Sequence, residues 1–426
     1  MDFPLMYQIR QVLPAPRVAD IKETVYREVA LMDAGSLITR GDRIAITAGS
    51  RGIADIDKIL YHLVAALKAL GARPFLIPAM GSHGGGTASG QLDILKGIGI
   101  TETTVGAPII SSMEVVSIGT TSFGFPVLVD RHAAEADGIV VMNRIKPHTE
   151  FEGPIESGLA KMMAIGMGKH EGCIQVHKQT VNYGYRKVIP EIGYIIREKL
   201  PVLFGIGIVE NINDQTAIIK AIQTDGFASG EEELLVKAKQ LMARLPFDPV
   251  DVLIIDEMGK NISGTGMDTN VIGRIMFVGE REPDHPKITR IVVLELTGAS
   301  HGNAIGVGLA DYTTEKLAQH IDHKAMATNA IAAMTPEKGR IPIALATEKA
   351  AIEAAFDTIG AVAPEDARVV HIKNTLEMAT MDVSRALTET VNSRSDLALI
   401  ADVGPLSFDE NGSLKRKIVT GETGNE

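Results

Sequence analysis

From Arg43 onward the chain repeats one pattern: a short continuous apolar run ends in small residues, and a segment with helical spacing follows it. RIAITAGSRG (43–52) gives way to IDKILYHLVAALKALG, where Ile56, Ile59, Leu60, Leu63, Val64 and Leu67 recur every three or four residues before Gly71. Apolar runs too short for a helix and bounded by glycine predict buried strands, and the helical spacing predicts a helix laid on a sheet. RPFLIPAMGSHGGG (73–86) repeats the strand and loop, with a short helix in GQLDILKGIGI. Further strands are expected at 124–130, 137–145 and 202–211, with a helix over 181–200 between the last two. This alternation predicts an α/β fold with a mainly parallel sheet.

A chain of 426 residues has room for more than one such domain. A charged helix in EEELLVKAKQLMARLPFDPVD runs into a proline-containing turn, and VDVLIIDEMG then opens a fresh strand. The boundary expected there separates residues 1–247 from a smaller C-terminal α/β domain, 248–426, with a cleft between them. In the second domain, strands are expected at 288–296, 341–347 and 367–373 and Ala-rich helices near 304–334 and 348–360. The tail KRKIVTGETGNE is expected to fray.

Composition narrows the ligands. Lys and Arg total 42 against 53 Asp and Glu, a net charge of −11, which argues against a broad grip on nucleic acid or an anionic membrane. Any anionic ligand must be held locally. The single cysteine, Cys173, excludes a disulfide framework and a cluster held by several thiolates, and fits a reducing cytoplasm. The N-terminal MDFPLMYQIRQVLPAPRVAD lacks a basic start before an apolar core, and no run approaches 18 apolar residues, so neither a secretory signal nor a membrane span is expected.

In open α/β sheets ligands bind beyond the carboxyl ends of the strands. Three loops there carry reactive side chains. TAGSRG (47–52) offers Ser50 and the forked donors of Arg51, suited to phosphate or carboxylate, although taken alone it reads more readily as a turn before a helix with a solvated arginine. MGSHGGGTASG (80–90) sets His83 in a loop too glycine-rich to serve packing. NRIKPHTEFEGPIESGLAKMMAIGMGKHEGCIQVHK (143–178) gathers His148, His170, His177, Lys146, Lys161 and Lys169. His83 and His148 facing one cleft would suit a general acid and base. Lys161, in an apolar context, is either a nucleophilic amine or a lysine that snorkels from its helix. His170 and His177 lie seven residues apart on one prospective helix, with Cys173 between them. Neither a GxGxxG fingerprint nor a P-loop occurs, and GTGMDTNVIG (264–273) has the wrong spacing.

The order of these loops resembles lactate racemase and its relatives, which use a nickel-pincer nucleotide cofactor. The resemblance implies a pyridinium mononucleotide pincer attached through a thioamide to Lys161, with nickel held by the pincer and by His177. It further implies His83 and His148 as the acid/base pair and Ser50, Arg51 and Lys146 as cofactor-binding residues. The expected activity is racemisation or epimerisation of a 2-hydroxy acid or related chiral alcohol, with other enzymes supplying the cofactor. The family's aspartate three residues before the arginine is Ala48 here, and EFEGPIESG looks like a small insertion between His148 and Lys161. GMDTNVIGR (266–274) resembles a family segment in which Tyr-Gln precedes a substrate-facing lysine; Ile272 and Gly273 replace the pair here. Arg274 and Lys260 are the candidates for the substrate carboxylate. Two rival readings stand beside this one: a metal-dependent lyase or isomerase using His148, His170 and His177 directly as ligands, and a non-catalytic small-molecule binding protein.

Overall fold

The structure, a computed structural model, describes residues 1–50 and 52–418. The chain divides into two compact units: Pro14–Met242, and Met1–Leu13 together with the chain from Ala243 on. The break near residue 242 lies close to the expected one, but the first thirteen residues belong with the second unit.

The first unit is built on a five-stranded sheet in the order Arg73–Pro78, Arg43–Ala48, Gly138–Arg144, Val202–Glu210, Thr216–Gln223. The first four strands are parallel and the last, which sequence reading missed, is antiparallel. Ile44, Ala45, Ile46, Val140 and Val141 are all essentially excluded from solvent. That explains runs without polar alternation: a parallel sheet is covered on both faces. The helix Ile56–Ala69 buries the six aliphatic positions whose spacing announces it, each contributing about 1.5–3 kcal/mol of transfer free energy. The expected strand at 124–130 forms as Pro126–Asp130, but it pairs with Val115–Thr120 in a separate antiparallel hairpin.

The second unit carries an eight-stranded mixed sheet, with Ile343–Leu345, Tyr312–Thr314, Ile288–Leu296, Val250–Met258 and Val369–Ile372 parallel in that order. Thr380–Ser384, Leu5–Gln11 and Leu397–Pro405 follow as antiparallel strands. The Ala-rich stretch 304–334 is not one helix. The strand Tyr312–Thr314 interrupts it, and helices Glu315–Gln319 and His323–Ala332 follow, each capped by a side chain at Thr314 or Asp322. The described part of the tail is docked rather than frayed. Arg416 pairs with Asp382, Lys417 bonds Glu348 at 2.9 Å, and the Ile418 N–H donates to Asp256 at 2.8 Å. No helix among the described residues is long and apolar enough to cross a membrane.

Candidate functional site

Strand order alone gathers the three loops. Arg73–Pro78, Arg43–Ala48 and Gly138–Arg144 are adjacent and parallel, with Ala48 in register with Pro78 and Ile46 with Val140. Their carboxyl ends therefore share one edge. The chain leaves Arg43–Ala48 toward one side of the sheet and later returns on the other, which makes the gap beside Gly138–Arg144 the switch point where ligands bind in such sheets. Ser50 follows Arg43–Ala48, His83 follows Arg73–Pro78, and Lys146 and His148 follow Gly138–Arg144. Arg51 lies outside the described residues.

Buried Gln91 holds the glycine-rich loop by donating to the Gly81 carbonyl at 2.9 Å and the His83 carbonyl at 3.4 Å, while the His83 side chain stays exposed. Gly81 has φ +59°, and a Cβ there would lie 3.0 Å from the Cys173 sulfur. Its N–H donates to the Gly166 carbonyl at 3.2 Å, and a Cβ on Gly166 would stand 2.5 Å from the Ala79 oxygen. The two segments close on each other only because both positions lack side chains.

Lys161 ends a short helix, Leu159–Lys161, and a π-helical turn, Met162–Gly166, follows it directly. Such turns often mark functional positions because they re-aim a side chain within a helix. The Asn143 amide donates to the Gly158 carbonyl at 2.8 Å, and Glu231 accepts the Ala160 N–H at 2.9 Å. Glu231 is thus a buried cap on the helix that carries Lys161. Burial, only partly offset by the Ala160 and Leu159 N–H groups, raises its carboxyl from 4.5 to about 7. A carboxyl whose folded pKa is raised holds its proton longer in the native state, so stability falls as pH rises through 4.5 to about 7. Glu231→Gln should abolish that slope and be more stable than the parent at pH 8 by up to about 3 kcal/mol, as read by urea unfolding at pH 5 and pH 8. Equal pH slopes for parent and variant would refute the assignment.

The segment after His148 is a closed loop. Lys146 and Ser157 exchange backbone hydrogen bonds at 3.0 and 3.3 Å, and buried Glu156 accepts the N–H groups of His148 (2.7 Å) and Gly153 (3.1 Å) and the Lys239 ammonium (2.6 Å). Burial outweighs these partners and raises the Glu156 carboxyl. The loop brings Phe151 into the core, stacked on Tyr185 at 4.8 Å, with the His148 ring 4.7 Å from Phe151 and 5.4 Å from Tyr185. The Glu150 N–H donates to His148 Nδ1 at 3.0 Å, and His148 Nε2 lies 2.8 Å from Lys161 Nζ. Lys146 has its charge near Asp214, whose carboxyl is raised by burial and Glu210 and lowered by Arg144 and Lys146.

The helix Lys169–Tyr183 forms as expected and separates its two histidines. His170 is exposed, with its ring against Gly86. His177 Nδ1 lies 3.0 Å from the Tyr185 hydroxyl, which donates to Glu150 at 2.9 Å. Burial, then the charge of Glu150, raises the Tyr185 phenol well above its ordinary value, so it stays a donor. Its oxygen therefore accepts the His177 Nδ1–H. Buried Cys173 sits beside His177 and Ser82; burial raises the thiol, but its hydrogen bonds to both bring it below its ordinary value. Among the described residues no three His, Cys, Asp or Glu side chains gather as a metal-holding group, so the His148, His170 and His177 ligand set does not form.

In the second unit the Arg274 guanidinium, offered to substrate by the sequence, is bonded to the carbonyls of Leu309, Ile288 and Thr289 and to Asp311 at 2.8 Å. It ties the start of one strand to the next. The Lys260 ammonium donates to the Gly264 carbonyl at 2.6 Å and to Asn329 at 3.0 Å. Asp268 caps the short helix Thr269–Ile272 and bonds the Asn270 side chain at 2.9 Å.

Sequence reading missed Glu150, Tyr185, Gln91 and Glu231. Only Glu231 had a signal: it lies on the buried stripe Phe227, Leu234, Leu235, Ala238, Leu241 of the helix Phe227–Leu241.

Most of the site residues lie in a stretch similar to a known family model. Residues 12–187 match the family model of the lactate racemase N-terminal domain, so the resemblance read from the loops is borne out over that stretch. The lactate racemase apoprotein from Thermoanaerobacterium thermosaccharolyticum is similar in fold across 85% of this chain and 93% of its own, with a TM-score of 0.53 and 13% identity. O-ureido-L-serine synthase aligns at a TM-score of only 0.14 and 12% identity, over 88% of this chain and 89% of its own. No curated protein sequence matches the chain.

Proposed function

We propose that the protein is an isomerase that racemises or epimerises a 2-hydroxy acid or related chiral alcohol, with a nickel-pincer nucleotide carried on Lys161. One observation supports this above the others: Lys161, His148, Tyr185 and His177 form a single contact path, 2.8 Å from Lys161 to His148, ring to ring from His148 to Tyr185, and 3.0 Å from Tyr185 to His177. The residues suit the group. Lys161 supplies an amine for the thioamide, and His177 presents a nitrogen whose tautomer Tyr185 and Glu150 fix, as partners of metal-bound histidines generally do. His177 would be the protein's ligand to the metal, and the sulfur donors of the pincer would suit nickel.

When bound, the group supplies a cationic ring able to accept and return a hydride. The chain does the proton work. One of His83 and His148 would take the hydroxyl proton of one stereoisomer while the other, already protonated, would give a proton to the oxygen of the mirror form, and the roles reverse in the opposite direction. Ser50, Arg51 and Lys146 hold the nucleotide phosphate. Arg274 and Lys260 receive no role, since both are bonded within their own unit.

Protein produced with nickel and the cofactor-making enzymes should carry a mass addition on Lys161, bind an equimolar amount of nickel, and interconvert the enantiomers of at least one chiral 2-hydroxy acid on chiral chromatography. A bare polypeptide mass under those conditions would sink the proposal.

A further inference from the structure

The unit Pro14–Met242 holds a cleft of about 450 Å³ at the starts of the helices Ile21–Leu31 and Ile56–Ala69, and none of the candidate site residues lines it. Hydrogen bonds fix its wall. The Val18 N–H donates to the Thr216 carbonyl at 2.8 Å, buried Asn211 donates to the Pro16 carbonyl at 2.9 Å, and the buried Thr216 hydroxyl donates to the Ala54 carbonyl at 2.7 Å. The Ala54 N–H in turn donates to Glu210 at 2.7 Å.

Donors outnumber acceptors in this cleft. Arg17 and Lys22 line it with no acidic partner among the described residues, in a chain whose 53 acidic residues exceed its 42 basic ones. The two carboxylates present are committed: Asp20 accepts the Glu23 N–H at 2.9 Å, and Asp55 pairs with Lys58 at 2.5 Å. Asp55 gives its own helix no side-chain cap, so the N–H groups of Asp57 and Lys58 meet no acceptor among the described residues, and those of Ile21 and Lys22 are open in the same way. Such first-turn N–H groups lack intrahelical partners and form the positive end of each helix. Gln215 adds a side-chain donor: its Oε1 accepts from Asn211 at 3.3 Å, which leaves its amino group for the cleft.

The arrangement of these donors defines the guest. A carboxylate has two oxygens in one plane, whereas a phosphate monoester presents three on a tetrahedron and can accept from two helices and two side chains at once. The volume exceeds that of a phosphate alone and falls in the range of small-molecule sites; half-buried Val18, Ile21 and His62 line the remainder. We propose that this cleft binds a small phosphate monoester, its phosphate held by Arg17, Lys22 and the two helix starts and its body against His62. The site is separate from Ser50, Arg51 and Lys146 and does not depend on the racemase reading.

Inorganic phosphate and ribose 5-phosphate, titrated into the unloaded full chain at pH 8 with chloride holding the ionic strength constant, should give saturable shifts in the backbone amide resonances of Lys22, Asp57 and Lys58. Ribose 5-phosphate should bind more tightly, since only it also fills the cleft. Arg17→Glu combined with Lys22→Glu should weaken binding at least about tenfold, the loss expected for charge-assisted contacts. Lys96→Glu, at an exposed position on the helix Ala88–Gly97, should leave it unchanged. Arg17 and Lys22 are both exposed, so the double variant should fold, and the wild-type shifts need no variant. Shifts that chloride reproduces, shifts confined to Ser50 and its neighbours, ribose 5-phosphate binding no tighter than phosphate, or an affinity unchanged in the double variant would each overturn the proposal. The adduct on Lys161 is read separately by intact mass, so the two proposals fail independently.

Discussion

His83→Asn and His148→Phe should each slow racemisation about 10² to 10⁴-fold, the usual contribution of a positioned acid/base group. For a pair of enantiomers the equilibrium constant is unity, so the loss in kcat/KM must be equal in the two directions whichever histidine is removed. Steady-state rates therefore cannot tell one histidine from the other. A single turnover can. If each histidine serves one hand of the substrate, acid-quenched samples of one variant should yield the 2-oxo acid from only one enantiomer, and the other variant should yield it only from the mirror form. His148 lies 2.8 Å from Lys161, so rates need to be normalised to the Lys161 adduct measured by intact mass. Equal loss of oxo acid from both enantiomers in both variants would remove the two-histidine assignment.

The parts of the fold that were legible are those with local causes. Continuous apolar runs such as IAITA and IVVM exist because a parallel strand is covered on both faces, and the six-residue stripe of Ile56–Ala69 exists because a helix covers one of them. The strand Leu5–Gln11 was invisible for the opposite reason. Its partners, Thr380–Ser384 and Leu397–Pro405, lie at the other end of the chain, and nothing within LMYQIRQ records a pairing so distant. The Ala-rich stretch 304–334 misled because alanine favours helix wherever tertiary pairing does not intervene, and the three-residue strand Tyr312–Thr314 is held by its sheet neighbours on both sides.

The same division runs through the candidate site. Small residues after Ala48 and Pro78 mark loops where backbone must come close, so Ser50 and His83 could be placed from composition and strand order alone. Tyr185 could not. It begins a helix after Gly184, with no motif around it, and only the fold lays its ring on Phe151 and its hydroxyl between His177 and Glu150. The segment EFEGPIESG reads in the sequence only as a small insertion. It supplies Glu150, whose N–H donates to the His148 ring, Phe151, whose ring packs on it, and Glu156, which accepts the His148 N–H.

Lys169→Met should cost about 3–5 kcal/mol of stability, the usual result of removing one partner of a fully buried ion pair. The Lys169 ammonium lies 2.7 Å from Asp130, both side chains are wholly shielded from solvent, and Nζ also donates to the Pro78 carbonyl. Burial lowers the Lys169 pKa even against the charge of Asp130, so desolvation is not fully offset by the pair. Among the described residues, a carboxylate left alone in that place keeps the Ala133 N–H as its hydrogen-bond donor. Lys169 has φ +54°, a strained position for either lysine or methionine, so the backbone contributes nothing to the difference. Asp130→Asn with Lys169→Met removes both charges and should restore more than half of the loss in urea unfolding, since a neutral pair need not be solvated as ions. A single-variant cost below about 1 kcal/mol would mean that water reaches the pair. The pair joins the carboxyl end of Arg73–Pro78, the end of Pro126–Asp130 and the first turn of Lys169–Tyr183. Loosening it should therefore disturb His177, two turns along that helix, before it disturbs Lys161, whose own helix is capped separately by Glu231.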